Sequence, residues 1–265
     1  MPDHSLQNTI IEAARAGAAV LRERFARLAE LEVTEKGPSD FVSAADLASE
    51  AAIKAAITAA FPGARFQAEE TAEARATSGE RFVIDPLDGT TNFLHGIPHF
   101  AVSIAFWDDD GARAGVVLDP CRDELFAATR GGGAELVTAS GRRKLTGSTR
   151  RSLDDSVVHT GVPHRGRSDH ARYLRQLEGV MQRVVGIRRL GAAALDLAYV
   201  AAGRGEAFFE KGLQPWDMAA GLLLVREAGG VVTDFSGGDD MMRNQEVVAG
   251  MPEVHAALRS AMLGA

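Results

Sequence analysis

The residues richest in possible chemistry run Asp85-Pro86-Leu87-Asp88-Gly89-Thr90-Thr91-Asn92-Phe93. An apolar segment, Phe82-Val83-Ile84, leads straight into two carboxylates, a glycine and two hydroxyls. Pro86 fixes its own φ and brings no amide proton, so Asp85 and Asp88 can converge from a rigid turn, with the Gly89 and Thr90 amides free to meet an anion. If Thr90 opens a helical turn, its amide also lies at a positive dipole end suited to phosphate. Carboxylates beside a phosphate repel it unless cations lie between, and hard divalent ions, Mg²⁺ first, take oxygen ligands of this kind. An ordinary turn explains Asp88-Gly89 alone, but the flanking Asp85-Pro86 and Thr90-Thr91 favour a metal site.

Three further acid positions stand at element boundaries. Glu69-Glu70 precedes the Phe82 strand in a polar loop, where acids are ordinarily solvated. Ser43-Ala44-Ala45-Asp46 fits a capping box that opens a helix. Asp217, after Pro215-Trp216 and before an apolar helical run, fits an N-cap. A cap also fixes a carboxylate at a helix mouth, where a metal or a water can be held.

The elements that must carry these groups follow from periodicity. Leu6, Ile10, Ala14, Ala18, Leu21, Phe25 and Leu28 fall at three- and four-residue steps and predict a first amphipathic helix. A second carries Leu47, Ala51, Ile53, Ile57 and Phe61 and stops at Pro62-Gly63. Arg81 to Asp85, Phe100 to Trp107, Ala114 to Leu118 and Glu124 to Ala127 read as strands. The polar, basic stretch from Thr138 to Ser152 marks a boundary, which divides the chain into residues 1–140, α+β, and 141–265, where strands and helices alternate as in α/β folds. Later strands are expected at Ser156 to Thr160, Val184 to Ile187, Ala207 to Glu210, Val231 to Phe235 and Glu246 to Ala249. Later helices are expected at His170 to Val180, Gly191 to Ala202, Met218 to Ala228 and from Pro252. Together they predict a layered sandwich of helices and sheets.

Composition narrows the classes. The 265 residues are 46% hydrophobic and 25% charged, which fits a folded globular chain. With 29 Lys+Arg against 36 Asp+Glu, the formal charge of -7 argues against bulk binding of a nucleic-acid backbone. The single cysteine, Cys121, can close no intrachain disulfide and reads as a small packed side chain. No apolar run approaches the ~20 residues of a spanning helix, so a cytoplasmic protein that does not enter the membrane is expected.

The Asp85 to Phe93 segment, taken with Gly212-Leu213-Gln214-Pro215-Trp216-Asp217-Met218-Ala219-Ala220-Gly221 and Glu227-Ala228-Gly229-Gly230, resembles the inositol monophosphatase family. Glu69-Glu70, the segment from Gly191 to Gly203, and Phe208-Phe209-Glu210 extend the likeness over nearly the whole chain. The resemblance implies a layered αβαβα sandwich of the sugar-phosphatase type and hydrolysis of inositol 1-phosphate by water attacking in line. It implies that Glu69, Asp85 and the Leu87 carbonyl hold one Mg²⁺, that Asp85, Asp88 and Asp217 hold a second, and that a third, weaker one lies near Glu69. Asp46 and Thr90, with Glu69, would activate the attacking water. The Gly89 and Thr90 amides would hold phosphate oxygens, while Asp88, Ala192, Ala194, Glu210 and Asp217 would meet the substrate. Family members are lithium-sensitive and commonly homodimeric. Ser43 stands where relatives usually carry threonine, Thr160-Gly161-Val162-Pro163 matches loosely, and the chain between Glu70 and Asp85 is short.

Other features read more plainly. His95, His99, His159, His164 and His170 form no compact ligand motif, and Gly131-Gly132-Gly133 lacks the Lys-Ser/Thr of a phosphate loop and reads as a turn. Arg142-Arg143-Lys144, Arg150-Arg151 and Arg188-Arg189 read as solvated surface. Two alternatives stay open. One is another small substrate: fructose 1,6-bisphosphate, histidinol phosphate or adenosine 3',5'-bisphosphate. The other is a binding role with RNA polymerase in ribosomal RNA synthesis, served by the arginine patches.

Overall fold

The computed structural model describes residues 3–30, 33–37, 40–71, 79–164 and 169–264. The chain begins with helix α1 (Asp3–Phe25), a hairpin of β1 (Val33–Gly37) and β2 (Asp40–Ser43), helix α2 (Ala44–Ala60) and strand β3 (Phe66–Ala68). Strand β4 (Arg81–Asp88) runs into the short helix α3 (Thr90–Leu94), then β5 (Ala101–Asp108), β6 (Gly111–Asp119), β7 (Glu124–Thr129), β8 (Gly133–Thr138) and β9 (Gly141–Leu145). Next come β10 (Val157–Thr160), α4 (His170–Met181), β11 (Gly186–Arg188), α5 (Ala193–Ala201), β12 (Ala207–Lys211) and α6 (Pro215–Glu227). Strand β13 (Val231–Thr233), helix α7 (Met241–Asn244), β14 (Glu246–Gly250) and α8 (Pro252–Leu263) complete it.

Besides the β1–β2 hairpin there are two sheets, ordered β3-β4-β5-β6-β7-β8-β9 and β11-β10-β12-β14-β13. The larger is antiparallel except where β3 lies parallel to β4; the smaller mixes both senses. Strand alternation sorts side chains into layers. Ile84, Ile104 and Val116 face α1 and α2 through Leu6, Ile10, Ile53 and Ile57. Val83, Ala105 and Val117 face the other way, onto Leu197 of α5 and Leu224 of α6. In the smaller sheet Phe208 joins that middle layer, while Phe209 turns outward to Val254 and Leu258 of α8. The result is the expected five-layer αβαβα sandwich. Its middle layer is tight: a Cβ at Gly115 of β6 would stand 3.1 Å from the Ala220 Cα, and one at Gly221 of α6 would stand 2.6 Å from Leu197 side-chain atoms.

One boundary is located more closely and one expectation is corrected. The polar stretch from Thr138 onward contains β9, which closes the edge of the larger sheet, so the passage between sheets comes after Leu145. Only Leu145 of that strand is buried, because an edge strand can leave Arg142, Arg143 and Lys144 in water. Cys121 is exposed, not packed. It rides the β6–β7 turn, where the buried Asp119 carboxylate accepts from the Cys121 and Arg122 amides and turns the cysteine outward. The Gly131–Gly133 turn is as read, its Gly131 and Gly133 amides donating to Glu227 of α6. No helix among the described residues is long and apolar enough to cross a membrane.

Candidate active site

In a regular strand, residues three apart point to opposite faces. Asp85 and Asp88 nevertheless line one cleft, because β4 bulges between them. Asp85 pairs with Ser103 but Asp88 pairs with Ala101, so one extra residue is accommodated at Pro86-Leu87 and the alternation is reset. Pro86 sits where a missing amide proton costs least. Its carbonyl accepts from Ser49 Oγ at 2.9 Å, and the Leu87 amide donates to Asp85 Oδ1 at 2.9 Å. The predicted rigid turn is therefore a bulge within a strand.

Gly89 then turns the chain with φ +90°, a backbone setting that favours glycine. A Cβ there would also stand 3.2 Å from the Gly191 and His99 carbonyl oxygens. Helix α3 begins at Thr90 with no side-chain cap, which leaves its first amides facing the cleft. It is held from behind by Phe93, whose ring lies 4.9 Å from Phe100 and 5.3 Å from Phe25. Asn92 donates to the carbonyls of His99 and Leu190, both at 2.8 Å, which fastens α3 to the loop before α5.

The other acids arrive from separate elements. Glu69 follows β3 and its amide donates to Ile84 O at 3.2 Å. Asp217 is not the N-cap of α6 as expected. Gln214 holds that position with Pro215 next, and Asp217, one turn in, accepts from the Gln214 amide at 2.7 Å. Ser103 Oγ donates to Trp216 O at 3.2 Å and anchors the helix start on β5. Glu210 comes from β12. A cleft of about 170 Å³ is lined by Glu69, Asp85, Asp88, Asp217, Glu210 and the Gly89–Thr91 turn.

Asp46 lies just behind this cleft. It is fully buried, forms the expected capping box with Ser43, and accepts from the Thr90 hydroxyl at 3.3 Å through its other oxygen. Thr90 Oγ1 also meets the Leu87 carbonyl at 3.0 Å. Ala192 lines the cleft, whereas Ala194 does not: its amide donates to Asp88 Oδ2 at 2.8 Å. Deeper in, Asp196 of α5 bonds His159 of β10 at 2.7 Å.

Two lining residues are ones the sequence reading set aside, Arg189 and His164. Both had looked like solvated loop residues. The signal that could have found Arg189 was its place just before the Gly191-Ala192 turn.

The electrostatics are those of crowded, desolvated acids. Burial, with Glu69, Asp88 and Asp217 nearby, holds the Asp85 carboxyl well above the usual carboxylate range. Burial first, then the Asp217 charge, pushes Asp88 up to about 8 against the Ala194 and Ala193 amides. Glu210 is pushed up to about 8 by burial, then by Asp196 and Asp217. Asp46 is raised by burial, opposed by its Ser43 and Thr90 hydrogen bonds. Among the described residues no three of these side chains close into a tight ligand cage. Asp85 and Glu69 are close enough to share a hydrogen bond, and the donor set that converges there, carboxylates with the Leu87 carbonyl and no thiolate, fits a hard divalent cation.

The chain matches the model of the inositol monophosphatase family over residues 3–263. The chain belongs to that family. It is 47% identical to an inositol-1-monophosphatase of Mesorhizobium japonicum over 263 residues, 99% of this chain and 97% of that one. It is 45% identical to the Nus factor SuhB of Escherichia coli over 260 residues, 98% and 96% of the two chains. The crystal structure of the extragenic suppressor protein suhB from Bartonella henselae superposes with a TM-score of 0.92 at 47% identity, covering 97% of this chain and 98% of that one. Membership makes this inositol monophosphatase relative a metal-dependent phosphoric monoester hydrolase.

Proposed function

We propose that the protein hydrolyses the phosphate ester of a small polyol, inositol 1-phosphate first, using two to three Mg²⁺ held in the acidic cleft. The observation that supports this most is the convergence of Glu69, Asp85, Asp88 and Asp217 beside the uncapped start of α3. Bound divalent cations would neutralise the phosphate, acidify the attacking water and stabilise the departing alkoxide. Glu69, Asp85, Asp88, Asp217 and the Leu87 carbonyl would hold them. The Gly89 and Thr90 amides would bind phosphate oxygens. The Thr90 hydroxyl, between the Leu87 carbonyl and Asp46, would orient the water, with Asp46 Oδ1 accepting the proton that Thr90 passes on. Ala192 and Glu210 would face the alcohol, and the Ala194 amide would set the angle of the Asp88 carboxylate.

Asp88→Asn is expected to abolish Mg²⁺-dependent phosphate release with the thermal unfolding midpoint preserved. Unchanged turnover would sink the assignment. We further propose a cytoplasmic homodimer with the lithium sensitivity of the family; Leu174 and Met181 on α4, and Val185 after it, are large apolar side chains left exposed for a second copy to cover. A second reading, a binding role beside RNA polymerase, is favoured by the similarity to the Nus factor SuhB and by the exposed Arg142, Arg143 and Arg188.

A further inference from the structure

Two charged side chains of the cleft, Glu210 on β12 and Arg189 between β11 and α5, make no hydrogen bond or ion pair among the described residues. Both are held where the backbone carries no side chain. A Cβ at Gly161 would collide with the Glu210 carboxylate, and a Cβ at Gly191 would collide with Arg189 Nη1. Gly191 has φ +88°, so the turn that lays the guanidinium against it also favours glycine. Once ionised, the Glu210 carboxylate offers only acceptors while Arg189 offers only donors, and the two border one cavity with no ion pair between them.

Whatever fills that gap must donate to a carboxylate and accept from a guanidinium. Neighbouring hydroxyls of a polyol do both. A second anion would meet the Arg189 guanidinium but would leave the Glu210 carboxyl without a donor, and the ionised forms of Glu210 and Asp196 would repel it. An apolar alcohol would desolvate both charges and pair neither. Arg189 lowers the pKa of Glu210 and of Asp196 against the effect of burial, which places its charge on this side of the cleft.

We propose that Arg189 is a specificity-determining residue that, together with Glu210, reads adjacent hydroxyls on the alcohol being released. This rests on the phosphatase function proposed above. The test measures kcat and KM of the Mg²⁺-loaded full chain on inositol 1-phosphate, which has adjacent hydroxyls, and on 4-nitrophenyl phosphate, whose leaving group has none. Wild type, Arg189→Ala and Arg189→Lys are compared, with thermal unfolding as a control for folding. In Arg189→Ala the ratio of kcat/KM for the two substrates is expected to fall about tenfold or more, the size of one lost charge-assisted hydrogen bond, mainly through KM on inositol 1-phosphate. Arg189→Lys should restore part of it. An unchanged ratio, or equal losses on both substrates, overturns the role of Arg189. Failure of the wild type to release phosphate from either substrate overturns the phosphatase reading and this inference with it.

Discussion

Glu50 touches nothing in the cleft, yet it fastens the segment that carries Glu69. It is buried on α2, its Oε2 accepts from the Glu70 amide at 3.0 Å, and its Oε1 accepts from the Thr71 hydroxyl at 2.6 Å and meets Lys54 Nζ at 3.1 Å. Glu50→Ala removes all three contacts at once. Breaking a buried ion pair costs about 3–5 kcal/mol, and the lower end applies because the Lys54 side chain is 17% exposed and also meets Thr71. A loss of about 3 kcal/mol is therefore expected in urea unfolding with chelator present. The effect on the site is separable. Glu69 keeps its amide bond to Ile84 but loses the tie one residue on, so the Mg²⁺ concentration for half-activation should rise about tenfold, as for other supports of a ligand. Glu50→Gln retains acceptor capacity and should lose less on both measures. If Glu50→Ala loses stability with an unchanged Mg²⁺ activation curve, Glu50 is a fold residue alone and the reasoning fails.

Chelated protein should lose stability as pH rises from about 4 to about 8. Asp88 and Glu210 are raised to about 8 in the fold, so across that window the native state binds more protons than the unfolded one; the contribution is full below the ordinary carboxylate range and is lost through the folded values. Thermal unfolding in EDTA measures this, Mg²⁺ should flatten the decline, and a midpoint that rises with pH would contradict it. Sedimentation of the full chain should give twice the monomer mass; a monomer at all concentrations would remove the proposed homodimer.

The parts of the site that could be read early are those set by neighbours in sequence. The run from Asp85 to Phe93 declared itself because a buried strand, a proline, a glycine and two hydroxyls leave few other uses for paired acids. The Ser43–Asp46 cap was equally local, but its second bond, to Thr90, depends on packing α2 beside β4. Asp217 was misread as a cap because Gln214 is a less familiar one than aspartate, and Pro215 at the first helical position moves the start back. Strand β9 was hidden by its arginines, since edge pairing needs backbone groups more than apolar side chains. Arg189 and His164 looked like surface because nothing near them in sequence says that the Glu210 strand stands opposite.

The close contacts of Gly115 with Ala220 and of Gly221 with Leu197 have a reach beyond packing. Asp85 and Asp88 ride on one sheet and Glu210 on the other, so the helical layer between them is a spacer and its thickness is the gape of a pair of jaws. A methyl group added at Gly115 would lift α6 off the larger sheet and wedge the jaws wider without altering a single charge, and one at Gly221 would spread α5 from α6 within the layer. The size of alcohol the protein admits is thus written partly in residues that no substrate ever meets, and drift there could retune selectivity while the phosphate end stays as it is.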